Sequence, residues 1–310
     1  MFVIICVLLP RFALTVAAGG RDVLAAGPVA LAPAPGREQL IGEASAAAEA
    51  YGVRAGLRLG EALARCPTLR LLAPDPVGVA DAWDVRVRAL EGIGAAVEPG
   101  PPGTAWFGAG GLRSLHGGSL EGVLAATRNA LKGPVRLGAA PSRFAALAAA
   151  GRARARRAEI TPMAAAALAA YMAPLPVALL FARPEVAMLP DALERFGIRT
   201  LGELARLPRA ALADRFGRAG SLARDLAQGK DSPLVPRTAA ERLEERLELL
   251  IDRMLARRER RGRALRAVVL SARLVEGGTW RARGAASRLT DPMAQASGAA
   301  RAPASRGRRR

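Results

Sequence analysis

Histidine, cysteine and lysine are almost missing from this chain of 310 residues, which has one histidine, His116, two cysteines, Cys6 and Cys66, and two lysines, Lys132 and Lys230. A zinc site built on His and Cys cannot be assembled from so few ligands, and two cysteines give no disulfide framework. A Ser-His-Asp triad would have to use His116, which sits in the glycine-rich loop Leu115-His116-Gly117-Gly118, so that chemistry is not expected. Long apolar runs are scarce too. Residues 2–9 are apolar, but no positive charge precedes them and Pro10-Arg11 follow, which fits a buried strand rather than a leader. Residues 160–182 carry no charge, yet Pro162, Pro174 and Pro176 divide them and alanine dominates the middle, so a short helix with an extended linker is predicted rather than a membrane span. A cytoplasmic protein with no membrane partner is expected.

Acid is also in short supply. Asp+Glu number 27 against 46 Lys+Arg, a formal net charge of +19 carried almost wholly by arginine. A sequence pI of about 11.6 makes a polyanion the first partner to consider. The chain is 51% hydrophobic, enough to build real cores, and at about 100–200 residues per domain it has room for two or three of them.

The pattern along the chain alternates strands and helices. Residues 2–9 read as a buried first strand. Helices are predicted over 43–51 and 59–65, with a short strand at 69–72. Residues 78–92 are helical, with Val79, Trp83, Val87 and Leu90 on one face. Strands near 94–98 and 104–107 flank the turn Pro99-Gly100-Pro101-Pro102-Gly103. A helix at 119–131, a strand at 135–139 and a helix at 142–150 follow. With residues 43–66 set aside as an insert, the order is β-α-β-β-α-β, an α+β arrangement of the ferredoxin-like kind. Four short helices are predicted near 186–195, 200–206, 209–215 and 218–228, then a long charged helix over 239–261 and a strand over 264–275. From Gly284 onward the chain is Ala, Ser, Gly and Arg and reads as a disordered tail.

Gly197-Ile198-Arg199-Thr200 lies between two of those helices. A short glycine turn between paired helices is the form of a helix-hairpin-helix, in which the backbone approaches a phosphate and the next helix offers N–H groups to it. Such contacts carry no sequence information. A second turn, Gly217-Arg218, strengthens the case for DNA binding.

At this point the sequence resembles a known family. The stretches PLPVALL, LERFGIRTLGELARLP, LADRFGRAG and LAQGKDSPLVP within residues 174–236 are similar to the thumb of Y-family (UmuC-like) DNA polymerases. YGVRAGLRLGEALARCPTLRLL resembles the fingers of that family, and VRLGAAPSRFAALAAA its late palm. The resemblance implies a palm at 1–158 with a helical fingers insert at about 36–76. It implies a linker and helix-hairpin-helix thumb at 159–236, an incomplete little-finger domain at 237–283 and an Arg-rich tail at 284–310. DNA-binding positions by this reading are Gly197, Ile198, Arg199, Thr200, Gly217, Arg218 and Arg143, the last where the family usually has lysine.

The residues depart from the family where its chemistry resides. Two-metal nucleotidyl transfer needs about three converging carboxylates. The family's acidic positions map to Leu8, Gly108 and Ala109, and its triphosphate-gripping Tyr and Arg map to Ala46 and Glu49. Between Pro99 and Ala158 the only carboxylate is Glu121, and before Glu38 the only one is Asp22. The sequence is therefore closest in character to the catalytically degenerate, ImuB-like branch of the family. That implies DNA repair or damage tolerance, in SOS mutagenesis and translesion synthesis, without catalysis of its own. A replicative polymerase, a sliding clamp or other mutagenesis-complex subunits would then be partners, nucleoid association would follow, and no cofactor is expected. Two alternatives stay open: an active error-prone translesion polymerase using Mg²⁺, and a truncated, non-functional remnant. The run Arg152, Arg154, Arg156 and Arg157 reads equally as a phosphate track or a solvated face.

Overall fold

The computed structural model describes residues 3–20, 22–34, 38–154 and 156–237, and two strands at 267–273 and 279–285. The chain divides into two units, Met1–Leu249 and Leu250–Arg310.

At the centre of the first unit is β1 (Ile4–Leu8), buried on both faces because every side chain from Ile4 to Val7 is apolar. It pairs antiparallel with β5 (Thr104–Gly108) on one side and with β6 (Arg136–Ala140) on the other. The edges are β4 (Val97–Pro99), antiparallel to β5, and β7 (Glu159–Ile160), parallel to β6. The sheet order is β4-β5-β1-β6-β7.

Alternate residues of a strand face opposite ways, so each face of β1 meets a different core. Val3, Ile5 and Val7 pack with α5 (Pro76–Gly92) and α6 (Leu120–Leu131), the helices predicted between the ferredoxin-like strands. Val79, Trp83, Val87 and Leu90 all lie on the buried side of α5, as their spacing indicates. Ile4 and Cys6 face α7 (Arg143–Arg152) and the later helices. α7 lies directly on the sheet. A Cβ at Gly138 of β6 would stand 2.1 Å from the Ala146 carbonyl oxygen and 2.2 Å from the Ala150 nitrogen. The residues of α7 from Ala145 to Ala150 are correspondingly small or buried. Trp106 is core as well, its indole N–H donating to the Arg143 carbonyl.

Between β1 and α5 lies the insert. β2 (Val29–Leu31) and β3 (Arg70–Leu72) form a parallel pair. α3 (Ala46–Glu49) and α4 (Leu59–Arg65) accompany them around Ala30, Ile41, Ala48, Val53 and Cys66. α1 (Phe12–Ala17) and α2 (Asp22–Ala25) connect β1 to this insert. The helix predicted over 43–51 shortens to α3 because Ser45, in extended conformation, caps its start by accepting the Ala48 N–H, and Gly52 at a positive φ of 76° follows its end.

Beyond β7 come α8 (Ala165–Met172), a 3₁₀ turn (Val177–Ala182), α9 (Pro190–Arg195), α10 (Leu201–Arg206) and α11 (Arg209–Ala227). The uncharged stretch at 160–182 is thus a strand end, one eight-residue helix and a turn. Among the described residues no helix is long and apolar enough to cross a membrane. Gly217, at φ 61° and ψ −143°, interrupts α11 where two helices were predicted.

In the second unit, β8 (Ala267–Arg273) pairs antiparallel with β9 (Thr279–Ala285). The expected strand over 264–275 is β8. β9 corrects the sequence reading, which began the disordered tail at Gly284. Thr279, Arg281 and Arg283 alternate with Trp280, Ala282 and Gly284, the period of a strand. The predicted helix at 239–261 and the chain after Ala285 lie outside the described residues.

Candidate functional site

Leu8 pairs with Thr104 of β5 and Arg136 of β6. The next residue, Leu9, donates its N–H to the Gly103 carbonyl at 2.8 Å. Gly108 instead pairs with Ile4, and Ala109 donates to the Val3 carbonyl. At about 3.3 Å per residue, Gly108 lies roughly 13 Å along the strand from Leu8's partner. Leu8, Gly108 and Ala109 are therefore not brought together. The residues beside Leu8 are Gly103 and Thr104, which sequence mapping missed because the turn before β5 sets the register. Gly103 has φ +96° and a Cβ there would lie 2.8 Å from the Phe12 Cβ. Among the described residues no three His, Cys, Asp or Glu side chains are grouped to hold a metal ion. The Cys6 thiol, buried in the sheet, has its pKa pushed up by desolvation. His116 ties its loop to the Ile93 carbonyl oxygen through Nε2 at 2.9 Å.

A cleft of about 350 Å³ opens between this sheet end and the insert, lined by Pro10, Arg11, Thr15, Ser45, Ala46 and Arg136 among others. Arg11, in the left-handed conformation at φ 55°, turns its guanidinium toward the insert. It pairs with Glu49 at 2.5 Å and donates through Nε to the Ala44 carbonyl at 2.8 Å. Glu43 accepts the Leu14 N–H at 2.8 Å. Ala46 and Glu49, singled out in the sequence, thus border or bridge one cleft, and neither offers a cation to an anion.

Arg143 is drawn into the protein. It pairs with Glu98 and Asp231 and donates to Ser232 Oγ at 2.5 Å. Asp231, whose side chain is fully buried, also accepts from Arg183 at 2.7 Å and from the Phe144 N–H at 3.0 Å. Burial opposes the Arg183 charge, but hydrogen bonds to Asp231 and Glu185 outweigh it and its pKa is raised. Arg183 in turn holds the Glu185 carboxyl below its ordinary value. No sequence signal marks Asp231 as the centre of this network, since its partners come from distant segments.

The glycine turn has defined local geometry. Gly197 follows α9 at φ +78°, with open space around its α-carbon. Its N–H donates to the Glu194 carbonyl and that of Ile198 to the Leu193 carbonyl, the paired bonds of a Schellman helix end. Thr200 caps α10, and the Glu203 carboxylate accepts the N–H groups of Arg199 at 2.7 Å and Thr200 at 3.0 Å. Those bonds hold the Glu203 pKa below its ordinary value. The N–H groups of Leu201 and Gly202 go to Leu175 and Ala173 carbonyls. The backbone donors of residues 197–203 are therefore engaged within the chain, and what the turn presents outward is the exposed side chain of Arg199. The capping box was legible as Thr200-x-x-Glu203 and was missed. The second turn is close by. Arg215 stacks on the Phe196 ring at 4.1 Å, next to Gly197, and exposed Arg218 follows Gly217.

Comparison with known proteins agrees with this architecture. Residues 7–151 match the model of the impB/mucB/samB family. A DNA polymerase IV of Moorella thermoacetica is 30% identical over 223 residues, covering 70% of this chain and 53% of its own. A DNA polymerase IV of Pelotomaculum thermopropionicum is 29% identical over 204 residues, covering 64% and 50%. The chain thus spans about half the length of these relatives. Among solved structures, a Y-family DNA polymerase chimera of Dbh and Dpo4 superposes with a TM-score of 0.59 at 14% identity, over 96% of this chain and 91% of that one. A Dbh ternary complex gives 0.58 at 16% identity with the same coverage. Residues 7–151, which carry the insert, α5, α6 and nearly all of α7, match the impB/mucB/samB family model, and the chain has the fold of the Y-family DNA polymerases.

Proposed function

We propose that this chain binds DNA without sequence preference and acts in damage tolerance, in the manner of SOS mutagenesis and translesion synthesis, without nucleotidyl transfer of its own. The observation that carries this reading is the end of β1, where Leu8 faces Thr104, Leu9 bonds to Gly103 and no carboxylate set is present among the described residues. Two Mg²⁺ ions need such a set to activate a 3′-hydroxyl and stabilise the leaving oxygen. Glu49, which pairs with Arg11, supports the same reading, because the family resemblance puts a triphosphate-gripping arginine at that position. An ImuB-like role fits, with extension performed by a separate polymerase subunit and the chain nucleoid-associated.

DNA would be held through phosphates. The exposed side chains of Arg199 and Arg218 are the contacts the two glycine turns offer, and Gly197 leaves space for close approach. Arg143 serves the palm instead, being committed to Glu98 and Asp231.

The deciding experiment is primer extension on undamaged and abasic templates with Mg²⁺ or Mn²⁺, run beside duplex binding by anisotropy. Binding without extension is expected. Extension that follows the protein through purification would establish an active polymerase. In the binding assay Arg199→Ala should reduce the log–log salt slope by about one unit if its guanidinium meets a phosphate.

A further inference from the structure

We infer that Arg152, Arg154, Arg156 and Arg157, with Arg136 beside them, seat the phosphate backbone of duplex DNA at the Leu8 end of the palm sheet; the inference rests on the DNA-binding reading above. The topology puts these arginines together. β6 starts at Arg136, the partner of Leu8. α7 then runs back along β6, so that Arg136 Nη1 donates to the Gly151 carbonyl at 3.1 Å. β7 starts at Glu159, opposite Gly138. The turn between α7 and β7 therefore stands at the same end of the sheet as Leu8, two strands away, or about 10 Å at ~4.8 Å per strand.

The turn is built to display charge. Ala153 is buried and anchors it. The Arg157 N–H donates to the Arg154 carbonyl at 3.1 Å and tightens it. Arg152, Arg154, Arg156 and Arg157 are all exposed. The nearest carboxylate along the chain, Glu159, accepts from the Tyr171 hydroxyl at 3.2 Å. Arg152 lies over the Tyr171 ring at 5.4 Å. No ion pair is formed by these four arginines among the described residues. Like charges this close repel unless an external anion neutralises them.

Arginine favours phosphate through its planar fork of donors. Single-strand binding would call for an open aromatic face on which bases stack. Tyr171, the ring that these arginines meet, lies under Arg152 and is hydrogen-bonded to Glu159, so the surface is suited to backbone phosphates. A duplex presents one of these per ~1.7 Å of axis.

The test is anisotropy of the full chain with a labelled duplex across a salt series, comparing wild type with R154Q/R156Q/R157Q. That variant keeps Arg152 over Tyr171 and should keep the wild-type thermal midpoint. R156Q/R157Q, which leaves the Arg154 side chain in place, serves as the milder second variant. Neutralising three phosphate contacts should lower the log–log salt slope by about 2–3 units, and two contacts by about 2. If wild type binds with a steep slope and both variants match it, the seat is overturned while the DNA-binding reading stands. If only single-stranded DNA or polyglutamate binding falls, the duplex assignment is overturned. If wild type does not bind duplex at all, the DNA-binding reading fails first and this one with it.

Discussion

Leu8 faces Thr104 across the antiparallel pair of β1 and β5, while Gly108 faces Ile4. Carboxylates that share a pair of metal ions must reach them at about 2.0–2.6 Å, with the ions ~3.5–4 Å apart. L8D/G108D/A109E would spread its acids over roughly 13 Å of strand. No gain in Mn²⁺ affinity is expected from it by isothermal calorimetry, and no primer extension. L8D/T104E puts two acids on facing residues and should give measurable Mn²⁺ binding. Equal behaviour of the two variants would show that the register is not as described.

The buried Asp231 carboxylate joins Arg143 of α7 to Arg183 of the 3₁₀ region. Removing one partner of a buried ion pair leaves charge without compensation and costs about 3–5 kcal/mol. Asp231→Ala should therefore lower the urea midpoint strongly. Glu61→Ala, which loses only the exposed pair with Arg65, should change stability by less than about 1 kcal/mol.

Glu203 accepts the Arg199 and Thr200 N–H groups most strongly as a charged carboxylate. Its folded pKa is depressed, chiefly by the hydrogen bond from Arg199. The cap therefore stabilises above the ordinary value of 4.5 and is lost as pH falls through the lower folded value. In an NMR titration the Arg199 and Thr200 amide protons should shift together below pH 4.5. Glu203→Gln should abolish that step. Amides that titrate at the ordinary glutamate value would mean the cap is not formed in solution.

Gly138 permits α7 to touch β6. A Cβ there would meet backbone atoms of Ala146 and Ala150 at 2.1 and 2.2 Å, which no rotamer change relieves. Gly138→Ala should destabilise by at least the ~1–3 kcal/mol typical of overpacking. Gly110→Ala, with open space and no positive φ, should be close to neutral. Thermal melts of the two variants make the comparison.

Local pattern by itself determined much of this protein. The apolar run at residues 2–9 was legible as a buried strand, and the spacing of Val79, Trp83, Val87 and Leu90 as one helix face. The absence of carboxylates from the first strand, and the presence of Glu121 alone between Pro99 and Ala158, was also legible, because composition does not depend on folding. The tertiary structure alone decided which residues stand beside Leu8, since register follows from the turn before β5. It decided that Arg143 is spent on Glu98 and Asp231, because those partners lie 45 and 88 residues away in sequence. It also decided that the N–H groups after Gly197 are taken by Glu203 and by the carbonyls of Ala173 and Leu175. Hydrogen bonds between segments distant in sequence leave no periodic trace, whereas burial of a strand or a helix face leaves one in every turn of the chain.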